Sequence, residues 1–142
     1  MADLFLIARI AGRQVAIASG QVDSVVDIGE IVPVPAADPR VRGLAALRSK
    51  VVTVIDTRAV LGLPRSDEAP GRAVITIVDG HHYAVLVDAL DDVTPCTLLP
   101  LASGIVLAAG WRGIGCGVVE LDGEPVLTID LHAMIPGLAQ AA

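Results

Sequence analysis

The sequence predicts an all-β protein made of two small five-stranded β-barrels from an internal duplication, with short helices. Runs of apolar and β-branched residues occur in pairs around glycine turns, and the same order of elements occurs twice. The core must be aliphatic, because 54% of the 142 residues are hydrophobic but only 2% are aromatic. A chain of this length can bury one substantial core. We therefore expect residues 1–142 to form a single domain whose halves, approximately 1–66 and 67–142, share a core.

Hairpins are the first elements to be expected. Two short apolar runs separated by a two-residue turn that contains glycine are typical of a β-hairpin, and Asp-Gly is the strongest such signal. The turns are Ala11-Gly12, Asp79-Gly80 and Asp122-Gly123. The predicted hairpins join residues 4–10 to 13–18, 73–78 to 82–88, and 117–121 to 125–129.

The remaining elements follow from turn and cap residues. Val51–Ile55 is predicted to be a strand behind a Ser49-Lys50 turn. Two short helices, Asp56–Leu61 and Asp130–Ile135, each begin with an aspartate that can cap a helix and stop at glycine or proline. The polar segment Pro64–Gly71 contains two prolines and is expected to connect the halves.

The duplication is visible as two fixed offsets along the chain. At an offset of 74, residues 43–61 align without a gap to 117–135, with Gly43/Gly117 and Asp56/Asp130 among the identities. At an offset of 68, residues 6–25 align to 74–93. Turns and helix starts coincide as well as single residues, which favours a repeat over chance similarity.

Composition and charge exclude several classes of function. The net charge of −6 argues against nucleic acid or an anionic membrane as a partner. No uninterrupted apolar run has the length of a membrane span, and no secretory signal is visible, so we expect a cytoplasmic protein without membrane insertion. Cys96 and Cys116 are spaced neither for a disulfide framework nor for a metal site.

Groups with catalytic or metal-binding potential are few. His81 and His82 are neighbours in a predicted strand and therefore point to opposite faces, and His132 stands alone at a helix start. The glycine-rich run 113–117 opens a strand and not a helix, which disfavours phosphate binding. Asp91-Asp92 is best interpreted as a solvated turn. We expect no catalytic residue, no metal and no cofactor, and hence no enzyme.

The segment Val41–Leu63, which reads VRGLAALRSKVVTVIDTRAVLGL, resembles the signature of the CheW-like family of bacterial chemotaxis coupling proteins. The family pattern is approximately V-x-G-V-x-N-L-R-G-x-I-V-P-V-I-D-L-R-x-x-L-G. Residues 15–34 resemble its first hairpin, 83–93 its G-x-V-V-D-x-V-x-D-V strand, and 126–135 its closing helix. The resemblance therefore covers nearly the whole chain.

This resemblance implies two SH3-like barrels around a common core and a non-enzymatic scaffold. Such scaffolds connect the cytoplasmic tips of chemoreceptors to the regulatory domain of the histidine kinase CheA. Apolar groove residues can accept a helix face, and an adjacent arginine can bind a carboxylate or carbonyl. The positions that the resemblance assigns to receptor binding are Val22, Gly43, Arg48, Leu90 and Val93.

Departures from the family pattern leave other interpretations open. Ala46 replaces the Asn before Leu-Arg, Ser49 replaces the following Gly, and Thr53 replaces the Pro of V-P-V. The chain could therefore serve a histidine kinase outside chemotaxis. A small-ligand-binding β-barrel is the alternative from another class, and an open polar cavity lined by His82, Asp88 or Asp92 would support it.

Charges differ between the repeats at equivalent positions. Residues 1–67 carry eight basic and seven acidic side chains, whereas residues 68–142 carry two and nine. At the offset of 74, Arg48 corresponds to Asp122, Lys50 to Glu124 and Arg58 to His132. A contact between a basic and an acidic unit would be head-to-tail. The predicted kinase or array interface consists of Arg48, Lys50, Arg58, Asp122 and Glu124.

Overall fold

A computed structural model describes residues 3–64, 71–101, 107 and 109–135. The strands are β1 Asp3–Ile10, β2 Arg13–Ala18, β3 Ser24–Asp27, β4 Val41–Leu47, β5 Lys50–Ile55, β6 Arg72–Val78, β7 His81–Val87, β8 Ala89–Cys96, β9 Gly115–Leu121 and β10 Glu124–Ile129. The helices are α1 Thr57–Val60 and α2 Ala109–Arg112, with 3₁₀ turns at Ser19–Gln21 and Leu131–Met134. None of the helices in these ranges has the length and apolar character that a membrane crossing requires.

The strands form two five-stranded sheets, which confirms the predicted fold class. The sheet β8-β1-β2-β10-β9 contains the first and last strands of the chain and defines the terminal lobe. The sheet β3-β6-β7-β5-β4 defines the central lobe. The two sheets do not correspond to the two halves of the chain. The first hairpin pairs in parallel with β10 of the second half, and β7 pairs in parallel with β5 of the first half.

The two sheets have equivalent registers, which confirms the internal duplication. Thr53 pairs with Tyr83 in the central lobe, and the residues at the offsets of 74 and 68, Leu127 and Val15, pair in the terminal lobe. The β4–β5 and β9–β10 hairpins also share a register shift at the same position. The duplication therefore extends to hydrogen-bonded pairing in space, with the hairpins exchanged between halves.

Four hairpin turns place two successive residues in the left-handed region. These pairs are Ala11-Gly12, Arg48-Ser49, Asp79-Gly80 and Asp122-Gly123, with φ between 48° and 80°. Such turns match the twist of the flanking strands. The β4–β5 turn was predicted one residue too late, since its turn residues are Arg48 and Ser49. The missing glycine at position 49 had obscured the turn.

Three apolar clusters hold the lobes together. The shared core contains residues of both sheets, including Leu6, Ile17, Ile55 and Val85. A second cluster fills the central lobe around Val54 and Ile75, and a third fills the terminal lobe around Phe5 and Ile7. On a strand, alternate residues therefore face the shared core or the interior of one lobe.

Two local expectations need correction. Asp91 and Asp92 were expected in a solvated turn, but they lie within β8. This strand pairs with β1 and is the edge strand of its sheet. The second predicted helix is a single 3₁₀ turn, Leu131–Met134, capped by Asp130. Most of the predicted connector, residues 65–70, lies outside the described residues.

Candidate functional site

An exposed apolar strip runs along β1 and β8 at the edge of the terminal lobe. Leu4 and Val93 have 51% and 52% of their surface exposed. Val93 is directly opposite Leu6, a member of the shared core, so both side chains lie on the same face of the sheet. Leu4 is two residues before Leu6 and shares that face. The strip thus extends the shared core to solvent.

Val22 and Leu90 lie at the inner border of this strip. Both are partly buried and pack against the shared core. Leu90 pairs with Ala8 on β1, and Val22 follows the 3₁₀ turn that packs against the same strand. Three of the residues predicted for receptor binding are therefore brought to one face. We call Leu4, Val22, Leu90 and Val93 the apolar strip; Leu4 is the member that the sequence analysis missed.

Gly43 is not part of this surface. It is buried in β4 with φ of +151°, and a Cβ atom there would lie 2.3 Å from the carbonyl oxygen of Val32. The close approach lets Val32 and Leu44 exchange two backbone hydrogen bonds of 2.8 and 2.9 Å. The position thus requires glycine for reasons of backbone packing.

Arg48 and Lys50 lie at the open end of the central lobe. They border a cavity of about 220 Å³ whose apolar floor is formed by Leu47, Val52 and Ile75. Both basic residues are exposed, and neither forms an ion pair with any residue that the structure describes. Asp23 and His82 also lie at the rim of this cavity, and Nζ of Lys50 is 3.5 Å from Nε2 of His82. We call this opening, with Arg48 and Lys50 at its rim, the basic mouth.

The corresponding end of the terminal lobe is acidic. Asp122 and Glu124 are exposed on the β9–β10 hairpin, and Asp91 and Asp92 occupy the positions equivalent to Asp23 and Ser24. Asp91 is near Arg9, with a 3.5 Å contact between carboxylate and guanidinium. Within the described ranges, the other three carboxylates have no ion-pair partner. The acidic mouth consists of Asp91, Asp92, Asp122 and Glu124. The offset of 68 could have revealed its first two members.

Arg58 is remote from the basic mouth. It lies on α1, beyond the other end of β5, and its Nε donates a 2.7 Å hydrogen bond to the carbonyl of Pro64. The five residue steps of β5 separate Lys50 from Ile55 by about 17 Å. The structure thus brings Arg48 and Lys50 together but leaves Arg58 out of the group.

The repeated aspartates act as helix caps. The Asp56 carboxylate accepts from the backbone N–H of Ala59, and the Asp130 carboxylate accepts from that of His132. Gln21 also donates a 2.7 Å hydrogen bond to Asp130 and ties the two 3₁₀ turns together. Capping therefore explains why an aspartate stands at this position in both repeats.

No reaction centre emerges in the part of the chain that is described. Its histidine, cysteine and acidic side chains form no group of three able to hold a metal ion. The cavity of the basic mouth contains His82 but neither Asp88 nor Asp92. Partial burial raises the pKa of the Cys116 thiol, and the nearby Asp130 carboxylate adds to this effect, so its thiolate is disfavoured.

Two packed β-lobes with an apolar strip and two charged mouths define a small β-module that offers surfaces for docking. The family model for the CheW-like domain matches residues 4–138. The chain therefore belongs to the CheW-like domain family.

A solved structure agrees with this assignment at the level of the fold. The chain is similar to the crystal structure of the scaffolding protein TtCheW from Thermoanaerobacter tengcongensis, with a TM-score of 0.81 and 21% identity. The match covers 96% of this chain and 94% of that one. No curated protein matches the sequence.

Proposed function

We propose that the protein is a cytoplasmic, non-enzymatic coupling adaptor. It binds the cytoplasmic tip of a chemoreceptor and the regulatory domain of a CheA-type histidine kinase. Membership of the CheW-like family supports the adaptor role. The observation that carries the proposal is the apolar strip, because half-exposed Leu4 and Val93 continue a buried core outward on one face.

The apolar strip suits the face of a partner helix. A helix presents apolar residues at intervals of three and four positions, and these need a shallow apolar surface in line with them. Leu90 and Val22 form the inner border, and Val93 and Leu4 supply accessible area. Arg48 lies on the rim that also contains Asp23, the chain neighbour of Val22, and can bind a polar group at the end of the helix.

Binding to a soluble chemoreceptor cytoplasmic fragment from the source organism tests the receptor contact. Val93→Asp is expected to weaken binding at least about tenfold, since a charge at the centre of an apolar interface commonly costs over 1 kcal/mol. Val51→Asp is the matched control, because Val51 is 66% exposed on β5, outside the strip. Unchanged binding of a folded Val93→Asp protein would exclude the strip as the receptor site.

The basic mouth is proposed as the kinase contact. Arg48 and Lys50, which have no ion-pair partner among the described residues, border a cavity with an apolar floor and can guide an acidic, partly apolar surface into place. Complementary charges mainly raise the association rate and fix the register of an interface. The interface residues that we propose are Arg48 and Lys50 on one lobe and Asp122 and Glu124 on the other. Arg58 no longer belongs to this set.

Association kinetics with the isolated kinase regulatory domain test this second contact. Arg48→Glu is expected to slow association at low salt, and the defect is expected to shrink near about 0.5 M salt, where the Debye length is a few Å. Arg58→Glu makes the same charge change beyond the other end of β5 and should leave the rate unaltered. If both variants slow association equally, the change in rate comes from the net charge of the protein and not from the basic mouth.

A kinase system outside chemotaxis is the second candidate, and the substitutions Ala46, Ser49 and Thr53 within the family signature favour it. Ser49 forms the turn next to Arg48, where it changes the surface offered to a partner. Affinity capture with the wild-type chain and the Val93→Asp variant distinguishes the two. A receptor lost only with the variant supports chemotaxis, whereas a kinase without any receptor supports the alternative.

A further inference from the structure

A cavity of about 360 Å³ lies at the end of the central lobe opposite the basic mouth. It is bordered by the loop that precedes β4 and by the helix α1 that follows β5. Its volume falls in the range of small-ligand sites, about 300 to 1,000 Å³. Most of the residues that line it are apolar, and the charged ones are Asp38, Arg42 and Asp56.

The loop beside this cavity is held in a defined conformation. The Arg40 guanidinium donates two hydrogen bonds, of 2.9 and 2.8 Å, to the Asp38 carboxylate. The Arg40 carbonyl accepts a 2.7 Å hydrogen bond from the backbone N–H of Asp56, which fastens the loop to the start of α1. Ala36 has a φ angle of +60°, a strained conformation for a residue with a Cβ atom. Strain of this kind is often found where a loop shapes a ligand site.

Arg42 is directed to the cavity by a β-bulge. Val41 pairs with Ile55 and Gly43 pairs with Val54, so Arg42 is the extra residue between these two pairs. A bulge changes the direction in which the side chain of the extra residue points. Because of this, Arg42 lines the cavity among mainly apolar neighbours.

The Arg42 guanidinium is largely buried but incompletely bonded. Its side chain is only 19% exposed, and Nη1 is 3.5 Å from Oδ2 of Asp56. This separation exceeds the distance of about 2.8 Å that is typical of a charge-assisted hydrogen bond and that Arg40 reaches nearby. The guanidinium forms no hydrogen bond with the other residues that the structure describes. Its second edge can therefore bind a carboxylate through two parallel hydrogen bonds.

The internal duplication indicates that the backbone does not require this arginine. At the offset of 74, Cys116 corresponds to Arg42 and Asp130 to Asp56, and the register shift has the same position in both hairpins. Asp130 accepts hydrogen bonds from a backbone N–H and from Gln21. The bulge and the aspartate cap thus form equally well with a cysteine in place of the arginine. Arg42 is left available for a ligand.

We propose that this cavity binds a small apolar carboxylate on the Arg42 guanidinium. The aliphatic part of the ligand packs against Val34, Ala59 and Leu63. The observation that carries the proposal is a buried, incompletely bonded guanidinium that a bulge places in a cavity of ligand size. Asp38 is neutralised by Arg40, whereas Asp56 shares Arg42 with the ligand, so a single negative charge is favoured over several.

A free aliphatic acid and the C-terminal residue of a peptide share this chemistry. The site lies at the far end of β5 from the basic mouth and is separate from the apolar strip. Ligand binding here therefore goes beyond the proposed adaptor function and can be tested without a receptor or a kinase.

Titration of the isotope-labelled full chain with isovalerate, followed by amide chemical shifts, tests the proposal. Saturable shifts are expected in residues 33–42 and 56–63, with a Kd of about 1 mM for a ligand of this size. Isovaleramide has the same shape without the charge and should bind at least about tenfold more weakly. Equal binding of the acid and the amide overturns the proposal. Shifts confined to the basic mouth, or no saturable shift up to about 20 mM isovalerate, also overturn it.

Two variants and a control locate the site. Arg42→Gln removes the charge, and Ala59→Leu fills the cavity without changing any charge; each should weaken isovalerate binding at least about tenfold. Arg72→Gln is the matched control, because Arg72 belongs to the same lobe but pairs with Asp27 on the exposed surface. It should bind isovalerate like the wild type. The dispersion of the amide signals shows whether each variant is folded, and wild-type binding by both folded cavity variants overturns the proposal.

Titration with N-acetylleucine, which has the end group of a peptide, distinguishes the two sources of the carboxylate. Binding at least about tenfold tighter than that of isovalerate supports a peptide C-terminus. N-acetylleucine that fails to displace isovalerate supports a free acid. Receptor and kinase binding are measured on Arg42→Gln as well, and unchanged values together with lost isovalerate binding support a site separate from the adaptor contacts.

Discussion

Replacing Gly43 by alanine tests whether the family-like glycine in β4 serves the fold or the binding surface. The new Cβ atom would lie 2.3 Å from the carbonyl oxygen of Val32 and 2.8 Å from Cγ2 of Ile31. A relaxed contact of this kind is about 1 Å longer, so the segment around Val32 must move away from β4. The φ angle of +151° adds strain, since only glycine adopts this region readily.

The expected loss of stability follows from these two effects. Movement of Val32 breaks its two backbone hydrogen bonds with Leu44, and each contributes about 1 kcal/mol net. Backbone strain adds about 1 to 3 kcal/mol. We therefore expect the free energy of unfolding to fall by about 3 to 5 kcal/mol and Tm by about 10 to 15 °C for a chain of this size.

Urea unfolding followed by circular dichroism measures this difference. Gly71→Ala is the matched control, because a Cβ atom there has no neighbour within 4 Å and its φ is not left-handed. The control should stay within about 0.5 kcal/mol of the wild type. A Gly43→Ala protein as stable as the control would refute the reasoning. A folded variant with normal stability but no receptor binding would show that Gly43 belongs to the binding surface.

Three further predictions concern the turn, the loop and the thiol. Ser49→Gly should stabilise the protein by about 1 kcal/mol in urea unfolding, because φ at this position is 69°, and Gly123→Ser at the equivalent position should destabilise it by about as much. A Ser49→Gly protein less stable than the wild type, or a Gly123→Ser protein more stable, would contradict the argument. The Arg40 guanidinium holds the pKa of Asp38 at about 2, below its ordinary value of 3.8, so the folded state binds fewer protons between these values. The stability from this pair is fully present above pH 4 and is lost as the pH falls through 2. The pair is partly exposed, so Asp38→Asn should cost under about 1 kcal/mol at pH 7 and progressively less as the pH falls from 4 towards 2. Cys116 has a raised pKa from burial, so iodoacetamide at pH 8 should alkylate it more slowly in the native chain than in urea, as followed by mass spectrometry.

The local elements of the fold could be predicted because their signals lie within a few residues. Asp79-Gly80 and Asp122-Gly123 adopt the left-handed turns that such pairs favour, and the flanking strands have the expected positions. Asp56 was predicted as a cap and accepts the hydrogen bond of one. The sequence pattern predicted the elements less well where a turn lacks its usual glycine, as at Ser49, or where a strand contains polar residues, as at Asp91.

The candidate surfaces were predicted in part. Val22, Leu90 and Val93 came from the family resemblance, and the fold places them on one face of the shared core. Leu4 was missed because a strand pattern does not show which apolar residue lies beyond the end of a packed core. Arg58 was grouped with Arg48 because both are basic where the other repeat is not, but β5 carries them to opposite ends of the lobe.

Sequence alone determined the all-β class, the duplication, the turns and the family, because each rests on local residue chemistry or on comparison of one segment with another. Tertiary structure alone decided which strands meet. The parallel pairs β2–β10 and β5–β7 join segments far apart in the chain, and no short-range preference specifies them. That exchange turns β3 and β8 into edge strands and places charges of opposite sign at the ends of two matched lobes. These features arise from packing two sheets on one shared core, a choice made by the whole chain and not by any segment of it.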